Sequence, residues 1–143
     1  MPAPDDADLR AALLIGVAAG LRGFAPLGVT ALRGGFGDGP AAKVLPALAA
    51  GELVGDKLPF TPPRTDPPPL LARALSGGLL SFRRAGAQGA LVGAAVAVVA
   101  AYGGQHTRQW LVRTTGRPDR DIAIAEDVLA LALAFLGTRP AVA

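Results

Sequence analysis

The sequence contains no cysteine and no asparagine, and the two absences remove whole classes of chemistry. Disulfides, thiolate metal sites, cysteine nucleophiles and N-glycosylation are excluded. Histidine occurs once, as His106, so no histidine cluster with metal-ligand spacing can form. Aromatic residues are scarce at 5%, although hydrophobic residues make up 51% of the chain. The apolar content is therefore Ala, Leu, Val and Gly, whose side chains are small for filling a water-soluble core. The calculated pI of about 10.2 invites a nucleic-acid reading. However, twelve of the fourteen basic residues are Arg, scattered singly between apolar runs. No basic stripe with interleaved aromatics exists, so nucleic acid is not an expected partner. No phosphate-binding glycine loop, nucleophile elbow or dinucleotide fingerprint is present, and no cofactor or metal is expected.

What remains is an Ala/Gly-rich chain of 143 residues with a mean hydropathy of +0.41, high for 17% charge. Small residues let helices approach closely, which is how helices associate in lipid. The expectation is an all-α integral membrane bundle of about four spans plus a short half-helix. It forms one domain over residues 1–143, multi-pass in the cytoplasmic (inner) membrane. The tail 1–8 is acidic and Pro-containing, unlike the positive start of a secretory signal, so the first apolar segment is expected to stay attached.

Asp8 is a candidate cap for a helix whose apolar run starts at Ala11. Residues 11–32 carry one charge, Arg22, and at 1.5 Å per residue reach about 33 Å, enough for a hydrocarbon core of ~30 Å. Gly20, Gly23 and Pro26 surround Arg22 and predict a kink or unwinding there. Residues 33–40 read as a glycine loop. A second apolar stretch, 41–58, holds Pro46, Glu52, Asp56 and Lys57. The connector 59–69 has six prolines in eleven residues, too many for a helix. Residues 70–82 are a half-length helix, and 85–107 is an uncharged span bounded by Arg84 and Arg108. The Arg-rich connector 108–120 is expected on the cytoplasmic side. The last segment, 122–138, carries Glu126 and Asp127. Weak likeness between the halves, AlaAlaGlyGlu at 49–52 against AlaIleAlaGlu at 123–126, fits a two-fold internal repeat. A soluble Ala-rich bundle is the competing reading, but 85–107 is apolar all round.

Three glycine pairs spaced by four fall in apolar segments: Gly16/Gly20, Gly51/Gly55 and Gly89/Gly93. That spacing puts both glycines on one face and predicts close helix packing or self-association as a homodimer. Glu52 and Asp56 are likewise i and i+4, with Cβ atoms about 6 Å apart on a helix. Two carboxylates that close do not both ionise freely unless a cation sits between them. Lys57 is adjacent, and Arg22 is a candidate partner for this pair, Glu52 included. Ionisable groups inside apolar segments mark a pathway or a buried pair. The competing reading puts Asp56 and Lys57 at headgroup level. Glu126 and Asp127 point about 100° apart, so only one is expected to face inward. At a helix start they also complement the dipole. His106, bracketed by Tyr102 and Trp110, reads as interfacial.

With these residues in place, the chain resembles a bacterial family of small integral membrane proteins that share a domain of unknown function. The resemblance lies in AlaGlyLeuArg at 19–22 with Pro26, and in Glu52-x-x-x-Asp56-Lys57-Leu58-Pro59. Arg73 with Ser76-Gly77-Gly78, and Ala125-Glu126-Asp127, complete it. The proline-rich stretch 62–69 departs from the pattern. The resemblance implies an all-helical membrane fold and no particular activity. From the residues, the leading expectation is a channel or transporter for an ion or small polar solute, using Arg22, Glu52, Asp56, Lys57, Arg73, Glu126 and Asp127. Its rival is a non-catalytic assembly protein whose charges form internal salt bridges. A membrane enzyme would have only the Glu52/Asp56 pair to act with.

Overall fold

A computed structural model of the chain describes residues 3–138. Among the described residues every regular element is a helix: α1 (Asp6–Leu21), α2 (Ala25–Leu32), α3 (Ala41–Gly55), α4 (Pro67–Thr115) and α5 (Asp119–Gly137). The acidic tail opens α1 earlier than its apolar run. Asp5 is the cap, its carboxylate accepting from the Asp8 amide at 2.8 Å, so Asp8 lies inside the first turn. There Asp6 and Asp8 complement the helix dipole.

The first apolar run does not cross as one kinked helix. It breaks after Leu21 and resumes at Ala25, with the two pieces bent by 120°. Pro26 in the first turn of α2 has no amide to bond backward, which favours a fresh start over continuation. Consequently Arg22 sits at an apex between two short helices.

α4 is not straight either. Ala85 (φ −133°, ψ 24°) and Gly86 (φ 57°, ψ −147°) leave helical geometry, and the Gly86 conformation suits only a residue without Cβ. The chain folds back there: Gly93 abuts Gly77 and Ser81, and Gly89 abuts Ser81. The result is a hairpin with a first arm (67–84) and a second arm (87–115). The expected span from residue 85 thus begins with the turn itself. The expected half-helix is the first arm, which starts three residues early. Pro67, Pro68 and Pro69 form its first turn, where missing amides cost nothing. The connector is therefore non-helical only up to Asp66.

α1 lies along the cleft of this hairpin. Ser81 Oγ donates to the Ala12 carbonyl at 3.4 Å, Gly16 abuts Val96, and Gly20 abuts Ala97 and Ala100. A Cβ on Gly16 would stand 2.8 Å from that of Val96, so side chains larger than hydrogen do not fit. α5 runs antiparallel to α1, with Gly137 so close to Ile15 that a Cβ on it would stand 3.0 Å away, and with Asp127 at Arg22. α2 packs on α3, and Arg33 donates to the Phe135 carbonyl of α5 at 2.7 Å.

Large and small side chains are distributed inside-out. Eleven of the fourteen buried hydrophobic residues are Ala, whereas Phe60 (80% exposed), Leu32 (75%) and Leu91 (74%) face outward. One of the most buried side chains is Arg22. By length and composition, α4 is the one described helix apolar enough to cross a membrane, and α1 with α2 qualifies only as a bent pair. The glycine pairs 16/20 and 89/93 mediate close packing, but Gly51 and Gly55 meet no neighbour, and α3 buries no residue.

Candidate functional site

A broken helix leaves backbone donors and acceptors without partners, and this one breaks against a buried surface. Side chains from three other segments, and Arg22 at the break itself, supply them. Both Glu52 oxygens accept, from the amides of Gly23 and Phe24, each at 2.8 Å, so Glu52 caps the N-terminus of α2 from another helix. On the other side, Arg73 Nε donates to the Gly20 carbonyl at 3.2 Å and Arg22 Nη1 to the Leu21 carbonyl at 3.0 Å. Arg64 Nη1 also reaches Leu21 O, at 3.4 Å. Anion to helix start and cation to helix end is the polarity the dipoles demand.

Apart from the separate Glu52–Arg73 pair, these capping charges belong to one network. Arg22 Nε donates to Asp127 Oδ1 at 2.5 Å, and Nη1 to Glu126 Oε1 at 3.3 Å. Arg22 Nη2 lies 2.9 Å from Asp56 Oδ2 but off the hydrogen-bond direction, so that contact is Coulombic alone. Asp127 also accepts from Lys57 at 2.6 Å, and Glu126 from Arg64. Asp56 accepts from Arg108 at 2.9 Å, and Arg108 holds Asp119 bidentately at 2.8 and 2.6 Å. Arg73 closes the far side on Glu52 at 2.9 Å. Five cations (Arg22, Lys57, Arg64, Arg73, Arg108) thus meet five carboxylates (Glu52, Asp56, Asp119, Glu126, Asp127). Asp119 is the exposed edge. The Arg108 hydrogen bond holds its carboxyl below the ordinary 3.8, against a smaller opposing effect of desolvation.

The geometry follows from helical register. Leu45, Ala49, Glu52 and Asp56 fall on one stripe of α3. Ala49 packs on Gly28, which turns both carboxylates towards the break. There they part: Glu52 goes to Arg73 and the α2 amides, Asp56 to Arg22 and Arg108. The expected Arg22–Glu52 pair does not form. Asp56 and Lys57 are not free headgroup-level charges but partners of Arg22 and Asp127. Nor does only one acid of α5 face inward. Arg22 presents nitrogens in a fork wide enough to engage Glu126 and Asp127 together. All seven sequence-chosen charges are ion-paired around the break, five of them in the network and Glu52 with Arg73 as a pair beside it, while His106 is exposed and outside both. Arg64, Arg108 and Asp119 belong to the network as well. Arg64 sits in a segment read as a spacer, and its only sequence signal is a lone cation stiffly held after Pro62 and Pro63.

Two polar cavities adjoin the network. One, of about 290 Å³, is lined by Gly23, Glu52, Thr61, Arg64 and Arg73 among others. A second, of about 210 Å³, is lined by Gln105, Arg108, Gln109 and Asp119. Asp56, Thr61, Pro62 and Arg64 line both. The carboxylates are committed to cations of the chain, and among the described residues no group of three or more acidic or histidine side chains is placed to hold a metal ion. Compared with protein-family models, curated proteins and solved structures, the chain matches none.

Proposed function

We propose that the chain is a small polytopic protein of the cytoplasmic membrane that admits an ion or small polar solute at the broken α1–α2 helix. The membrane part of the reading rests on the inside-out distribution of side chains. A core that is mostly Ala offers little driving force in water, while a shell of exposed Leu, Val and Phe is stable in hydrocarbon. The α4 hairpin, α1 and α5 would form the embedded bundle. Gly104, which faces Leu21 and Arg64, lies eighteen residues beyond Gly86, about 27 Å along the second arm at 1.5 Å per residue. The charged apex would then lie near one face of a ~30 Å core, rather than at its middle. The same reading groups the chain with the membrane family that its AlaGlyLeuArg and Glu-x-x-x-Asp-Lys-x-Pro elements resemble.

One observation carries the solute reading: the broken helix, capped by Glu52, Arg64 and Arg73, adjoins a cavity lined by those same charges and by Gly23 of the break, and a second cavity shares Asp56 and Arg64 with it. Interrupted helices place dipoles and charges where a solute can exchange its hydration for protein groups. Reconstitution into liposomes with proton- and cation-sensitive dyes tests it. The expected result is flux above that of empty vesicles, lost in a folded Arg73→Gln variant. Equal leakage with and without protein, across protons and the common monovalent cations, overturns it.

An assembly role is the second reading, and a separate feature favours it. Val44, Leu48, Gly51 and Gly55 fall on one stripe of α3; the first two are exposed, and nothing packs on the glycines. Because the chain has no cysteine, a single Gly51→Cys substitution reports on this face directly. Oxidative cross-linking into a dimer in membranes would support a homodimer through α3. A monomer under the same conditions would remove it.

A further inference from the structure

A further cavity runs away from the charge network and touches it only at one end. It is an open groove of about 710 Å³ between the second arm of α4, α1 and α5. Val17, Val99, Gly103 and Leu129 line its length, and Arg108 and Glu126 stand at one end. The lining from Ala95 to Leu111 spans sixteen helical rises of the second arm, about 24 Å at 1.5 Å each, which is more than the ~15 Å depth of one leaflet. Its walls are almost wholly apolar, and Gly103 faces open space.

The groove and the smaller polar cavity share a wall at Arg108. Glu126, at the groove end, is bonded to Arg64, which lines both polar cavities. The apolar groove therefore adjoins a polar chamber whose charged walls are Asp56, Arg64, Arg108 and Asp119. Two cations against two carboxylates give no net charge. Such a chamber favours a head group carrying both signs over one carrying a single sign, because a lone anion would break existing pairs.

We propose that this groove and the chamber adjoining it at Arg108 bind a single-chain zwitterionic amphiphile, the chain in the apolar groove and the head among Arg108, Glu126, Gln109 and Asp119. The proposal deepens the solute reading by naming the substrate class and rests on that reading for transport, though not for binding. Nothing covers the groove in the single chain, and its polar terminus is what distinguishes an amphiphile from a partner helix as occupant. A helix would bring its own side chains to the apolar walls and leave the chamber untouched.

The test is native mass spectrometry of the full chain released from a mild detergent and titrated with lysophosphatidylethanolamine. Lysophosphatidylglycerol and an uncharged alkyl glycoside of equal chain length serve as comparisons. The expected result is a one-to-one adduct with the zwitterion, at least tenfold tighter than either comparison. Gly103→Leu, whose side chain enters open space, fills the groove without disturbing the core and should weaken that adduct about tenfold. Equal affinity for all three amphiphiles overturns the head-group assignment. Unchanged affinity in Gly103→Leu overturns the groove. A dimer that Gly103→Leu dissolves assigns the groove to a second copy instead. Failure of the transport reading is separate: a tight adduct with no solute flux in liposomes keeps the site and discards transport. Flux that persists in Gly103→Leu, with no adduct in either protein, does the reverse.

Discussion

Replacing Arg22 by Met keeps most of the side-chain volume and removes the charge. Arg22 is fully buried and faces Asp56, Glu126 and Asp127. Removing one member of a buried ion pair costs about 3–5 kcal/mol, because the other member is left uncompensated. Here each acid keeps a second cation: Arg108 for Asp56, Arg64 for Glu126 and Lys57 for Asp127. That places the loss near the lower end, about 3 kcal/mol, including the bond to the Leu21 carbonyl. At roughly 2–4 °C per kcal/mol for a chain of this size, the melting temperature should fall by on the order of 10 °C. Thermal unfolding of the detergent-solubilised protein, followed by circular dichroism, measures it. A second variant makes the reasoning specific. Exchanging charges as Arg22→Glu with Glu52→Arg should not rescue, because Glu52 pairs with Arg73 and caps α2 while Arg22 does neither. A drop under about 2 °C for Arg22→Met, or recovery in the exchanged double variant, refutes the assigned pairing.

Gly93→Val should cost about 1–3 kcal/mol or prevent folding, because its Cβ would strike Ser81 and the Gly77 carbonyl; Gly51→Val, in open space, should leave the melting temperature within a degree or two. Glu52→Gln keeps an acceptor for the α2 amides but leaves Arg73 without its carboxylate. A destabilisation of about 1–3 kcal/mol is expected, relieved when Arg73→Gln is added and measurable as a double-mutant cycle. Because the folded Asp119 carboxyl lies below its ordinary 3.8, its contribution to stability is present above that value. It is lost as pH falls through the folded pKa. Melting curves taken from neutral pH down into that acid range should therefore fall more steeply for the native protein than for Asp119→Asn, and parallel curves would contradict the assignment.

Local chemistry was legible and distant pairing was not. Gly20, Gly23 and Pro26 mark the interruption at Arg22, since each weakens a helix by itself. How far the chain turns depends on α3 and α4 delivering Glu52 and Arg73 to the exposed helix ends, which no local pattern encodes. The Gly86 turn falls at the boundary that Arg83 and Arg84 mark between two apolar segments, but a single glycine among many does not show that the chain folds back there. The seven charges were noticeable as ions in apolar surroundings. Their partners lie as far as 105 residues apart, and Arg64 stands in a segment whose prolines suggest only stiffness. The alternation of Arg22 with α5 acids and Arg73 with an α3 acid ties the two ends of the chain across one another.

Equal numbers of fixed positive and negative groups at the apex have an electrical consequence. Moving a unit charge through a transmembrane voltage of 100 mV changes its energy by about 2.3 kcal/mol, but a block of zero total charge shifts without such work. A resting potential therefore has no lever on this apex. On the proposed solute reading, any rearrangement there should answer to the solute, and depolarising the vesicle should leave it unchanged.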